Sequence, residues 1–317
     1  MTLRQLLRGL STYVPGIDAV VSKLKGTGGT VSSRYCYSVW LRHLVMLEQS
    51  TGRTSFETIA ELGPGDSLGI GLAGMLTGSN HYHAFDIIKF ASVKQNLKIF
   101  DELVELFRNR EPIPGEDEFP GVHPSLKNYN FPSQILTKER QDASLEPCRL
   151  EEIRNQLRNL GEDTASQTDI GISYVAPWFE AEILRRQSVD LIFSQAVMEH
   201  VEDLDQTYKA MKEWLKPDGV VSHQIDFRSH GYTNEWNGHW VCSDFAWKLL
   251  MGRKSYILNR APHSKHLEYL LKHGFRLKCD QTVTSQSKYR KAELAERFRS
   301  VTDDDLLTSG SLIQAHL

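Results

Sequence analysis

The stretch from Ile59 to Leu68, I-A-E-L-G-P-G-D-S-L, limits the possible folds of this chain more than any other. Its apolar start predicts a buried strand over 58–62, and its glycines predict a tight turn that leads into a helix from about Leu68. Gly63 and Gly65 leave no side chain between the turn and a ligand. The free N–H groups at the start of the helix can bind a polar group. The pattern therefore predicts a strand–turn–helix unit with a ligand at its turn.

Two familiar nucleotide-binding turns do not fit this stretch. A phosphate-binding P-loop ends in Gly-Lys-Ser/Thr, which is missing here. The dinucleotide fingerprint needs a third glycine, and Leu68 stands in its place. A second strand predicted over 81–88 contains Asp86, which lies 86 − 63 = 23 residues after Gly63, near the roughly 20 at which an acid meets ribose hydroxyls. The alternative is an ordinary strand–turn–helix with a surface aspartate.

Three segments of the chain resemble the class I S-adenosylmethionine-dependent methyltransferases. The first is the turn itself, E-L-G-P-G at 61–65, which is similar to motif I of that family. The second is the apolar strand predicted at 189–194 with the Glu-His-Val of 199–201 shortly after it, which resembles a common form of motif IV. The third is Lys-Pro-Asp-Gly at 216–219, followed by an apolar strand predicted at 220–227. The resemblance implies S-adenosylmethionine as the cofactor.

The resemblance also implies a fold and a set of cofactor-binding residues. The fold class is α/β: a Rossmann-like, seven-stranded, mostly parallel sheet with helices on both faces, an N-terminal helical extension and an inserted loop and helix region. We expect the last strand to be antiparallel. The predicted cofactor-binding residues are Glu61, Gly63, Gly65, Asp66, Asp86, Ile87, Ser194 and Gln195.

Composition shifts suggest how the domain is organised. Residues 1–55 are predicted to be the N-terminal extension, and residues 56–317 the methyltransferase domain. Five prolines between 111 and 133 exclude a helix or central strand there, so 111–165 is predicted to be an insertion with one helix near 150–160. In the extension, Arg34 and Tyr35 either reach the cofactor or substrate, or belong to an amphipathic helix whose arginines, Arg42 among them, snorkel to solvent.

Methyl transfer to a hydroxyl benefits from a base, and the predicted base candidates follow the fourth and fifth strands. They are His200, His223, Asp226 and His230. Asp226 is nearest the carboxyl end of its strand, and we therefore predict Asp226 and His200 as catalytic. The alternative for His200 is a histidine that bonds to backbone at a helix start, and His223 is expected to be structural. No metal site is predicted.

Composition narrows the partners. A net charge of −3 gives no footprint for nucleic acid. The four cysteines form no C-x-x-C pair, which argues against a zinc or disulfide framework and favours a reducing cytoplasm. No apolar run is long enough to span a membrane. A small-molecule or glycan acceptor is expected, and the oligomeric state stays open.

The predicted function is S-adenosylmethionine-dependent O-methylation of a small molecule or of a glycan hydroxyl by in-line methyl transfer. The alternative is a non-catalytic protein with the same fold that binds the cofactor or acts as a scaffold. A nicotinamide-dependent oxidoreductase is disfavoured by Leu68.

Overall fold

The computed structural model describes residues 29–161, 169–178, 181–252 and 257–317. The strands are β1 Thr58–Leu62, β2 His81–Phe85, β3 Gly171–Val175, β4 Val189–Gln195, β5 Leu215–Asp226, β6 Arg276–Thr284 and β7 Thr308–His316. The helices are α1 Ser33–Thr51, α2 Gly69–Met75, α3 Val93–Arg108, α4 Lys138–Ser144, α5 Pro147–Arg158, α6 Leu204–Trp214, α7 Asp244–Met251 and α8 His263–Lys272.

The described strands form one seven-stranded sheet in the order β3-β2-β1-β4-β5-β7-β6. The first five pair in parallel, whereas β7 runs antiparallel between β5 and β6. The predicted fold class and the antiparallel last strand are therefore confirmed. The strand order reverses between β1 and β4, and in open α/β sheets ligands bind beyond the carboxyl ends of the strands at such a point.

The central strands β1 and β4 are buried on both faces of the sheet, as their near-continuous apolar sequences predict. Successive residues of β4 point to opposite sides, so Phe193 belongs to one hydrophobic core and Ile192 to the other. The helices α1, α2, α3 and α5 contribute to the first core, and α6 and α8 to the second. Lys216-Pro217-Asp218-Gly219 interrupts the pairing of β5 with β4, since Leu215 pairs with Val189 and Val220 with Leu191.

The amphipathic helix predicted in the N-terminal extension is present as α1, and Ser32 caps it by accepting a hydrogen bond from the Tyr35 N–H. Arg42 does not snorkel. It is fully buried and donates to the carbonyl oxygens of Pro114, Val122 and Pro124. The proline-rich loop folds over the helix and removes the water that snorkelling needs, and its carbonyls replace that water as hydrogen-bond acceptors.

The N-terminal end of α1 also contacts this loop. Arg34 forms a two-pronged pair with Glu118, with 2.6 Å between Nε and Oε1 and between Nη2 and Oε2. The Tyr35 ring packs edge-on against the Phe119 ring, with 5.6 Å between the ring centroids. Both side chains thus point to the insertion. The insertion holds two helices, α4 and α5, where one was expected. Residues 1–28 of the predicted extension lie outside the described residues.

No helix among the described residues is both long enough and apolar enough to cross a membrane.

Candidate functional site

The glycine turn after β1 meets the end of β2. Gly63 and Gly65 have left-handed backbone angles, with φ of +67° and +73°, which an L-residue with a side chain adopts only with strain. The Asp86 carboxylate accepts hydrogen bonds from Gly65 N at 3.2 Å and Ile87 N at 2.7 Å. Burial raises the pKa of Asp86 to about 6, although these backbone bonds oppose the shift. The structure thus brings the predicted acid to the predicted turn.

Glu61 lies inside the sheet layer, where it is 1% exposed. Its Oε2 accepts hydrogen bonds from the Tyr82 hydroxyl at 2.5 Å and from Gly71 N in α2 at 3.2 Å. Burial raises the pKa of Glu61 to about 8, against the opposing effect of these two bonds. In this geometry Glu61 ties the strand to the helix behind the turn.

The segment after β4 packs directly onto the glycine turn. A Cβ atom at Gly63 would stand 2.5 Å from a methyl carbon of Val197, closer than any real contact. The close approach therefore requires glycine at this position. Ala196, just before Val197, has a φ of +54°, so the chain turns sharply where it leaves β4. This contact joins the turn after β1 to the segment that carries His200.

Ser194 and Gln195, predicted for the cofactor, both have protein partners. The fully buried Ser194 hydroxyl lies 2.8 Å from His223 Nδ1. The Gln195 side chain lies 3.1 Å from His43 Nε2 and donates to the His123 carbonyl at 3.0 Å. Gln195 thus links β4 to α1 and to the proline-rich loop. Their roles toward the cofactor stay predictions.

The remaining two predicted cofactor residues lie at the rim of this region. Ile87 is 42% exposed, directly after Asp86. Asp66 is partly exposed at the start of the helical turn and raises the pKa of Asp86 by its charge. Both therefore border the turn.

Asp226 ends β5, and its carboxylate is close to two basic side chains. Arg228 donates to Oδ1 from its backbone N at 2.9 Å and from Nε at 2.8 Å, and Nη2 donates to Oδ2 at 2.8 Å. His230 Nε2 lies 3.4 Å from Oδ2. Burial alone would raise the pKa of Asp226, but the bonds from His230 and Arg228 outweigh it and hold this pKa well below its usual range.

His200 ends a short 3-10 turn, Met198–His200, that follows β4. Its ring lies 5.1 Å from the ring of His230, measured between centroids. Burial, and after it the neighbouring His230, lower the pKa of His200 to about 4, although a backbone bond at Ile257 opposes the shift. The ring is therefore neutral near pH 7. The structure thus brings together His200, Asp226 and the third candidate, His230.

Sequence reasoning missed Glu199. Its carboxylate is 2% exposed, and neither oxygen accepts a hydrogen bond of normal length from a described residue. Burial raises the pKa of Glu199 well above its usual range, against the pull of the backbone N–H groups of Glu199 and Asp226. Oε1 lies 3.9 Å from His230 Nε2. The Glu-His pair at 199–200 was the available signal, but only the histidine was assigned a role.

The chemistry of the turn fits S-adenosylmethionine. The cofactor combines ribose hydroxyls, which donate hydrogen bonds, with a positive charge, and both suit a carboxylate such as Asp86. A glycine turn that opens onto the end of a strand suits its close approach. Gly63, Gly65 and Asp86 would hold it, with Ile87 and Asp66 at the rim.

Comparison with known proteins agrees with this chemistry. A family described as "Methyltransferase domain" matches residues 150–222, which include β3, β4, α6 and part of β5. No curated protein matches the chain significantly.

Solved structures with similar folds are remote in sequence. An S-adenosylmethionine-dependent methyltransferase from Mesorhizobium loti is 14% identical with a TM-score of 0.40, covering 88% of this chain and 98% of that one. Haemonchus contortus phosphoethanolamine N-methyltransferase 2, in complex with S-adenosyl-L-methionine, is 14% identical with a TM-score of 0.41, covering 89% and 56%. A putative sarcosine dimethylglycine methyltransferase from Galdieria sulphuraria is 12% identical with a TM-score of 0.43, covering 88% and 84%. Likeness at this level carries no activity over to this chain.

The strand order, the acid-and-glycine turn after β1 and the family match over β3 to β5 support one assignment. Residues 150–222 match a methyltransferase domain, and the fold and the turn agree with S-adenosylmethionine as the methyl donor.

Proposed function

We propose that this enzyme methylates a hydroxyl group of a small molecule or a glycan. The observation that supports the proposal is the polar cluster of Glu199, His200, Asp226 and His230 where the chain leaves β4 and β5. Glu199, its first member, lies two residues after Val197, which contacts the glycine turn. A hydroxyl must lose its proton on methylation, whereas many amine acceptors do not need a base in the transition state. A buried cluster of imidazoles and carboxylates suits the first task.

S-adenosylmethionine supplies a methyl group on a positively charged sulfur, which keeps the bonding electrons when an acceptor oxygen attacks the methyl carbon. The protein must align the acceptor and take up its proton. Asp226 is ionised and fixes the position of His230 beside it at 3.4 Å. His200 is neutral near pH 7, so its ring can accept a proton. The cluster thus provides both an orienting carboxylate and proton-accepting groups.

The class of methyl acceptor is inferred from the net charge of the protein and from the polar side chains of the site. A net charge of −3 does not favour a polyanionic nucleic acid. Arg228 is half-exposed beside Asp226, and it can hold a polar or anionic group of the acceptor near the cluster. These features favour a polar small molecule or a sugar.

Calorimetric titration with S-adenosylmethionine and S-adenosylhomocysteine, with NAD as the control, is the first test. We expect the first two to bind and NAD not to. Labelled methyl transfer is then measured with paired acceptors that differ only in a hydroxyl or an amine. The proposal expects the label on the hydroxyl partner. Transfer only to the amines would contradict it, and binding without turnover on any acceptor would favour the non-catalytic alternative.

Asp226→Asn then tests the role of the cluster. We expect turnover to fall by about 100-fold, the usual contribution of acid–base chemistry, while cofactor binding stays unchanged. Asp280→Asn is the matched control, because Asp280 also pairs with a histidine, His263, at 2.9 Å, but on the edge strand β6. Equal effects of the two substitutions on turnover would remove the cluster from the mechanism.

A further inference from the structure

Three side chains of the polar cluster converge as metal ligands would. One ligand atom each from Glu199, His200 and His230 lies within 4.8 Å of the other two. They come from the segments that follow β4 and β5, and the sheet brings these segments together. His230 is the exposed member of the group, so an ion can reach the position from solvent. Proximity alone is common in proteins and does not identify a site.

The second observation concerns the state of the Glu199 carboxylate. It is 2% exposed, and neither oxygen accepts a hydrogen bond of normal length from a described residue. Desolvation of such a group costs free energy unless a partner compensates for it. Its Oε1 faces His230 Nε2 at 3.9 Å, with the His200 ring beside it. A cation between the carboxylate and the two rings would supply the missing partner.

The donor set and the local charge favour one class of ion. Two imidazoles with one carboxylate are typical ligands of divalent transition metals, such as Zn²⁺ or Fe²⁺, and less typical of Mg²⁺ or Ca²⁺. Ligand atoms about 2.1 Å from an ion lie at most about 4.2 Å apart, so small side-chain rotations close the observed spacing. Asp226 contributes a negative charge beside His230, and Arg228 offsets it, so these neighbours leave no net positive charge that would repel an ion.

We propose that Glu199, His200 and His230 bind a divalent transition-metal ion at the carboxyl ends of β4 and β5. This site differs from the prediction of no metal site, which rested on the lack of a C-x-x-C pair. With an ion bound, Asp226 positions the ligand His230, and the neutral His200 ring holds the ion, which replaces its proton-accepting role in the metal-free site.

The use of this ion in catalysis rests on the proposed function. A hydroxyl that binds a divalent cation through its oxygen has a lowered pKa, so it loses its proton more easily to solvent or to a nearby carboxylate. The oxygen then attacks the methyl carbon, and the C–S bond breaks with its electrons on sulfur. The cluster would thus activate and position the acceptor together.

The direct test is metal binding by the full chain after removal of metals with a chelator. Titration with Zn²⁺ is expected to show one equivalent bound, and Co²⁺ is expected to develop the visible absorption of an ion with protein ligands. Glu199→Gln and His230→Gln should each weaken Zn²⁺ binding by at least ~100-fold. Glu61→Gln is the matched control, because Glu61 is an equally buried glutamate outside the cluster, and its affinity should equal that of the wild type.

The possible results separate this inference from the proposed function. Failure of the wild type to bind Zn²⁺ or Co²⁺, or unchanged affinity in a folded Glu199→Gln protein, would overturn the metal site even if hydroxyl methylation is found. Specific binding of one ion without methyl transfer to hydroxyls would support the site and contradict the proposed function. Thermal unfolding of each variant shows that a lost signal is not caused by lost structure.

Discussion

Glu61 and Glu199 are both glutamates, with exposed fractions of 1% and 2%. Glu61 lies on β1, and Glu199 lies in the segment just after the neighbouring strand β4. Their surroundings differ. The Glu61 carboxylate receives the Tyr82 hydroxyl and the Gly71 N–H, whereas the Glu199 carboxylate receives no such bond from a described residue. Burial raises the pKa of both groups. Burial and a shifted pKa therefore do not separate a structural acid from one that awaits a ligand; hydrogen-bond partners do.

The two carboxylates therefore contribute differently to the stability of the folded protein. The Glu61 carboxylate stabilises the fold, because its hydrogen bonds join β1 to α2 directly behind the glycine turn. At Glu199 the fold bears the cost of burying a carboxylate without the compensating bonds, and such a cost is common at functional sites. The following predictions test this contrast in order of expected size.

The largest effect is expected for Glu61→Ala against Glu199→Ala. Removal of the Glu61 carboxylate leaves two buried donors without an acceptor and opens a cavity, at a cost of about 3–5 kcal/mol in unfolding free energy. Removal of the Glu199 carboxylate in the metal-free protein also removes an uncompensated group, and we expect a loss of about 1 kcal/mol or less. Urea unfolding measures both. Equal losses would contradict the contrast.

Arg42 extends the comparison to a buried cation. Arg42→Met leaves the carbonyl oxygens of Pro114, Val122 and Pro124 without their donor, and we expect a loss of about 3 kcal/mol. Arg34→Met is the control, because its pair with Glu118 is exposed on both sides and is worth about 1 kcal/mol at most. Hydrogen exchange should show the proline-rich loop opening in the first variant only. A small loss for Arg42→Met would indicate that the loop has other attachments.

Asp86 tests whether a partly satisfied acid still serves a ligand. Asp86→Ala should weaken S-adenosylmethionine binding by about 1–3 kcal/mol if its carboxylate holds the ribose hydroxyls. Calorimetry of the folded variant measures this change. Asp190→Ala is a control of the same type, since Asp190 bonds to Thr58 N and Lys216, and it should leave cofactor affinity unchanged. Unchanged affinity in Asp86→Ala would remove Asp86 from the site.

The effect that is smallest for each unit of change concerns pH. The folded-state pKa of Glu61 is about 8, above its ordinary value of 4.5, so the folded protein keeps a proton that the unfolded chain loses. Unfolding free energy should therefore fall as pH rises from about 5 to 8, by at most about 1.4 kcal/mol per pH unit from this group. Glu61→Gln keeps an acceptor oxygen but does not titrate, so its curve should be flatter. Parallel curves would show that Glu61 does not titrate in this range.

Local chemistry explains what could be predicted from the sequence. Strands such as 189–194 are continuous apolar runs, and the Gly63–Gly65 turn and the Lys216–Gly219 turn use residues with special backbone preferences. These signals are contained in a few consecutive residues. The fold class and the positions of β1, β4 and α1 were therefore accessible, as was the placement of Asp86 beside the turn.

The missing parts depend on contacts between distant segments. Arg42 is buried because a loop about 70 to 80 residues later supplies its acceptors, so periodicity alone suggested a snorkelling side chain. Ser194 is predicted to bind the cofactor, which stays a prediction, and the contact of its hydroxyl with His223 on β5 depends on strand register and has no local signal. Glu199 stands out only because its carboxylate lacks hydrogen-bond partners among the described residues and lies near His230. His230 follows 230 − 199 = 31 residues later in the chain. No local pattern marks such a meeting.

The hydrogen bonds from Arg42 to the proline-rich loop have a consequence for the evolution of the loop sequence. Arg42 recognises carbonyl oxygens of the main chain and not the side chains at those positions. Every amino acid carries such a carbonyl, so exposed positions such as Lys127 and Asn128 are free to change while the anchoring points keep their place. Substitutions at such exposed positions therefore leave the three carbonyl contacts of Arg42 with the loop in place.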